Sequence, residues 1–151
     1  MADDASDDDL NVLAPSDALE LVLDLAQRCV RRAGGPSGPK EADRLADAAA
    51  LEQVDYLLME HWEVLDALAR AKPLAKDQSR KTARHVWRLR SGVRVVQSPA
   101  DAVERVIVLA ERELAAQGSP GGSEEDAVRW ARHFLERRWA DLDARFGRLM
   151  G

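Results

Sequence analysis

Apolar residues recur at three- and four-residue intervals along most of the chain, the period of helices packing one face on a core. Leu19, Leu21, Val22, Leu23, Leu25, Ala26, Cys29 and Val30 cover most of the circumference of a helix expected over about Asp17 to Ala33, which marks it as central. Pro15 and Ser16 precede it as a start signal, with the Ser16 hydroxyl available as a cap. A long helix is expected from about Lys40 to Ala71, where Leu51, Val54, Leu58, Leu65 and Leu68 form a bundle seam and His61 takes the one missing place in it. Ser98-Pro99 opens a further helix with Ala100, Val103, Ile107, Ala110 and Leu114 inward, ending at Gly118. Ser123 and Asp126 resemble a capping box before a last helix reaching about Leu149, with Val128, Ala131, Leu135, Leu142, Phe146 and Leu149 on one face and Arg138 within that stripe.

Between the second and third of these lies a stretch of different character. Pro73 and Gly92 bound a fifth expected helix, about Lys76 to Ser91. At about 100° per residue, Lys76, Arg80, Lys81, Arg84 and Arg88 share one face, and Thr82, Ala83, Val86 and Leu89 the other. Trp87 falls at the margin, a flat surface for a partner. Only Val93 to Val96 reads as an extended piece. The fold class that follows is all-α, a compact bundle of about five helices forming one domain over residues 13–151.

Charge sharpens this picture. From Arg70 to Arg94 nine basic residues meet one acid, Asp77, a net +8 within a chain of net −5, so the remainder carries −13. Residues 1–12, with Asp3, Asp4, Asp7, Asp8 and Asp9, hold too little apolar surface to fold and are expected to form a disordered acidic tail. The single Cys29 excludes an internal disulfide framework and falls among core positions. No apolar run approaches a membrane span, and the N-terminus has aspartates where a secretion signal carries bases, so a cytoplasmic protein without a membrane partner is expected.

Catalytic patterns are sparse. The chain has no phosphate-cradling glycine loop, no HExxH and no nucleophile elbow, and its cysteine and histidines have no metal-ligand spacing, so no cofactor, metal site or catalytic group is assigned. Arg80-Lys81-Thr82-Ala83-Arg84-His85 has the Arg-x4-His spacing of HEPN ribonucleases and resembles their motif. That resemblance implies a small all-α domain cleaving RNA without metal, with Arg80 on the scissile phosphate and His85 moving the proton of the attacking hydroxyl. The run from His61 to Leu74, HWEVLDALARAKPL, looks like the opening of the winged-helix domain of MarR-type regulators. Two helices and a hairpin wing follow in such domains; here one helix and the four residues Val93 to Val96 precede Ser98, which leaves no room for a full wing.

The leading expectation is a non-catalytic accessory or adaptor protein. Lys76, Arg80, Lys81, Arg84, Trp87 and Arg88 would contact an anionic partner, either a nucleic-acid backbone or an acidic protein surface, because clustered arginines supply forked donors and release counterions. The alternatives are HEPN-like RNA cleavage, or a homo-oligomer or subunit of a larger complex whose exposed seams pair with another chain.

Overall fold

Pro15 opens the first helix in the computed structural model, which describes residues 15–32, 41–70, 86–118 and 122–150, with the backbone alone at 69–70 and 147–150. The helices are α1 (Pro15–Arg32), α2 (Glu41–Glu60), α3 (Trp62–Arg70), α4 (Pro99–Gln117) and α5 (Ser123–Met150), five among the described residues. Between α3 and α4 runs an antiparallel hairpin, β1 (Val86–Arg88) and β2 (Arg94–Val96). The acidic tail expected over residues 1–12 lies outside the described residues.

As its periodicity predicts, α1 is central: it packs on all four other helices, most extensively on α4, burying Leu19, Val22, Leu25 and Ala26 completely. Cys29 is buried with them. Val103, Val106, Ile107 and Ala110 of α4 and Ala131, Leu142 and Phe146 of α5 complete the same core. Among the described residues no helix is long and apolar enough to cross a membrane.

Three helix starts show how local signals and tertiary contacts divide the work. At α4 the local signal suffices to place the start: Ser98 is extended, its hydroxyl accepts from the Asp101 N–H at 3.2 Å, and Pro99 follows where no donor is needed. Asp143 of α5 adds a carboxylate that accepts the Ala100 N–H at 2.8 Å. At α1 the expected Ser16 cap is replaced. The helix begins at Pro15, and Ser16 donates its N–H and hydroxyl to the two oxygens of Asp66 of α3, at 2.9 and 3.2 Å. A charged acceptor at a helix N-terminus meets orphan donors and the positive end of the dipole together. At α5 the helix includes Ser123 itself, and the Asp126 N–H bonds the Gly122 carbonyl at 3.0 Å, where a capping box would have used the serine side chain.

The long helix expected over 40–71 is divided at His61. Helical hydrogen bonds continue through the division, His61 N–H to the Leu57 carbonyl at 2.9 Å and Leu65 N–H to the His61 carbonyl at 3.1 Å, and Leu65 and Leu68 stay in the buried seam.

The helix expected from Lys76 to Ser91 is corrected where the structure describes it. Residues 71–85 lie outside the described residues, and from Val86 onward the chain is extended. Val86, Trp87, Val93, Val95 and Val96 are β-branched or aromatic, and a pleated surface suits them better than a helix. The turn is set by Gly92, at φ +97°: its N–H bonds the Leu89 carbonyl at 2.8 Å while the Leu89 N–H reaches the Val93 carbonyl at 2.8 Å. This is a three-residue hairpin loop closed by a glycine bulge. The extended piece expected at Val93 to Val96 is therefore one half of a hairpin whose other half comes out of the expected helix.

Candidate polyanion-binding hairpin

Pairing runs Val86 to Val96, Trp87 to Val95 and Arg88 to Arg94. Successive side chains in a strand point to opposite faces, so Val86, Arg88, Arg94 and Val96 share the outer face while Trp87 and Val95 turn inward, half-buried. Val86 and Val96 are 54% and 64% exposed, and both arginines are exposed. Because Leu89 and Val93 are hydrogen-bonded partners, the antiparallel alternation makes Arg88 and Arg94 a non-hydrogen-bonded pair, the closer kind, with Cα atoms about 4.5 Å apart. Like charges directly opposite destabilise a ladder. Among the described residues neither arginine forms an ion pair, and both guanidiniums stand in solvent.

The body of the protein nevertheless grips this hairpin by its inner side. The Glu52 carboxylate on α2 accepts the Trp87 indole N–H at 3.2 Å and the Arg90 backbone N–H at 3.1 and 3.3 Å. Asp55, one residue short of a full turn later, lies 3.8 Å from the Arg90 guanidinium. Trp87 also tilts against Tyr56, centroids 5.7 Å apart, and Tyr56 meets His61 edge-on at 5.2 Å. Leu89 is buried. Beyond β2, Gln97 donates to the Ala46 carbonyl at 3.1 Å and to Gln53 at 2.9 Å, and Gln53 returns a bond to the Gln97 carbonyl at 3.2 Å, all buried. The ribbon is therefore rooted at both ends, with only its outer face offered to a partner.

Of the expected contact residues, Lys76, Arg80, Lys81 and Arg84 lie outside the described residues, as does His85, so the Arg80–His85 pair of the HEPN reading lies there too. Arg88 is exposed as expected, but on a strand. Trp87 is not the flat outward surface expected of it: its ring packs against the core and its donor is committed to Glu52. Arg94 and Glu52 were not among the expected site residues. The signal that could have found Arg94 is the alternation of Val86, Arg88 and Arg90 with Trp87 and Leu89, followed by Ser91-Gly92, a turn dipeptide, and a second valine-rich run.

The other residues singled out in the sequence lie on or between the helices. His61 is half-buried, packed on Tyr56; His133 is exposed, 3.4 Å from Arg137. Among the described residues no group of His, Cys, Asp and Glu could hold a metal. Trp130 stacks on Phe134 with centroids 4.8 Å apart, and Trp139 packs against the core. A groove of about 610 Å³ between α2 and α4 adjoins Val96 and Gln97 and is lined by Asp43, Asp47, Glu104 and Arg105. Asp47 there is buried and bonded to Arg105 at 3.1 Å; burial pushes its carboxyl above the usual range against the pull of that guanidinium. Arg138, expected either to reach solvent or to pair with a neighbouring helix, is buried and lies 3.7 Å from Asp141 of its own helix.

Comparison with known proteins finds no matching family model, no matching curated protein and no matching solved structure.

Proposed function

We propose that this protein is a non-catalytic accessory protein that binds an anionic macromolecule through the outer face of the β1–β2 hairpin. The observation carrying the reading is the Arg88–Arg94 pair: two exposed arginines directly opposite each other across the strands, with no ion pair to a carboxylate of the described residues. The two nearby acids of α2 serve the hairpin backbone, Trp87 and Arg90 instead. An external anion converts the repulsion into attraction and releases counterions on binding. The anchoring by Glu52, Trp87 and the buried Gln53–Gln97 pair supports a contact site in a second way, since a ribbon held in advance loses less entropy when a partner docks.

The test is binding of a polyanion by the wild type and by the Arg88→Glu/Arg94→Glu double variant across a salt series. The variant is expected to bind at least tenfold more weakly, with the log–log salt slope reduced by about 2, one per lost phosphate contact. Equal affinity and slope would remove the hairpin as the contact.

A further inference from the structure

We infer that the anionic partner is duplex nucleic acid, and that the hairpin enters it from the major groove. The inference rests on the polyanion reading and adds what the rest of the outer face requires. That face is not only cationic: Val86 and Val96 lie beside the arginine pair at the root of the ribbon, both more than half exposed. A partner must therefore present anions and apolar groups together, at the spacing of two adjacent strands.

Three partners combine negative charge with apolar surface, and the structure separates them. An anionic lipid surface is gripped by large apolar and aromatic side chains. The one aromatic of this hairpin is turned inward and held by Glu52 and Tyr56, leaving only valines outside. An acidic peptide adding itself as a third strand needs a length of free edge. Here each strand is three residues long, and the charged and apolar side chains project from the face rather than along the edge. A nucleic-acid groove remains. Strands about 4.8 Å apart, once their side chains are added, fit a groove about 12 Å wide and not one about 6 Å wide. In the wide groove arginine forks meet phosphates or the acceptor edge of guanine, and branched aliphatic side chains meet the thymine methyl. The pairing of two arginines with two valines on one ribbon face supplies both kinds of contact.

The experiment measures binding of the full chain to a short thymine-containing DNA duplex. The comparison probes are a single strand carrying the same number of phosphates, the same duplex with uracil for thymine, phosphatidylserine vesicles, and a Glu-rich peptide. The duplex is expected to bind about tenfold more tightly than the single strand, and the uracil duplex several-fold more weakly than its thymine parent. A Val86→Thr/Val96→Thr variant keeps side-chain shape and strand preference while replacing two methyl groups with hydroxyls. It is expected to weaken the thymine preference and leave the salt slope unchanged. Equal binding of duplex and single strand, indifference to the thymine methyl, or tighter binding of vesicles or peptide would overturn the duplex inference while leaving the polyanion reading in place. Wild-type affinity in Arg88→Glu/Arg94→Glu would remove both.

Discussion

Arginine has two uses in this protein, and they sit at opposite ends of the packing scale. At the C-terminal end of α1, Arg28 is bonded to Glu124 of α5 and lies 3.1 Å from Asp24, and Arg32 reaches Glu113 of α4 at 3.0 Å. These pairs tie three helices together over the core. On the hairpin, Arg88 faces Arg94 and no carboxylate of the described residues answers either one. The first arrangement lies within the fold, each arginine meeting carboxylates of the protein itself. The second has no such answer among the described residues.

If that contrast is right, the same charge reversal should act with opposite sign at the two places. Arg28→Glu sets a third carboxylate between Asp24 and Glu124 and should lower stability by about 2 kcal/mol, read from urea midpoints at constant m. Glu52→Ala, which strips the hairpin of its acceptor for both Trp87 and Arg90, should cost about 1.5 kcal/mol and shift Trp87 fluorescence toward that of exposed indole. Arg94→Glu turns a repelling cross-strand pair into an attracting one and should raise stability by about 0.5 kcal/mol. A loss of similar size to that in Arg28→Glu would end the contrast.

The smallest effect is in the pH dependence. Glu113 is held below the usual carboxylate range, first by the hydrogen bond from Gln117 and then by Arg32. Its contribution is present above the unfolded glutamate value and is lost as pH falls through the depressed folded one. Asp47 is raised by burial, so its contribution runs the other way, present in acid and lost as pH rises through its elevated folded value. On acidification the stability gap between wild type and Glu113→Gln should therefore close, while wild type gains relative to Asp47→Asn. Parallel curves for the two variants would show that the surrounding groups do not distinguish these carboxyls.

Much of the bundle was readable in the chain because burial leaves a period. Val103, Ile107 and Ala110, or Ala131, Leu135 and Phe146, repeat at a spacing that only a helix face explains, and all are buried. The hairpin was misread because Arg, Leu and Ala suit a helix and the eleven residues from Val86 to Val96 are too few for period to decide; the contacts of Trp87 with Glu52 and Tyr56 of α2 are tertiary and leave no period. Glu52 looked like any surface acid of a helix. Nothing in its neighbours along the chain marks it as the acceptor for a loop 38 residues away. The charge imbalance, by contrast, was visible in the sequence, and Arg88 is exposed as expected even though its secondary structure was misread.

Two helix N-termini in this protein are completed by carboxylates from far along the chain, Asp66 on Ser16 across 50 residues and Asp143 on Ala100 across 43. At α4 Ser98 already places the start and Asp143 adds to it, whereas Ser16 of α1 takes its acceptors from Asp66, so there the first turn is conditional on docking α3. Folding should accordingly be cooperative across α1, α3, α4 and α5, with backbone amides near both starts exchanging hydrogen at the rate of global opening instead of fraying early.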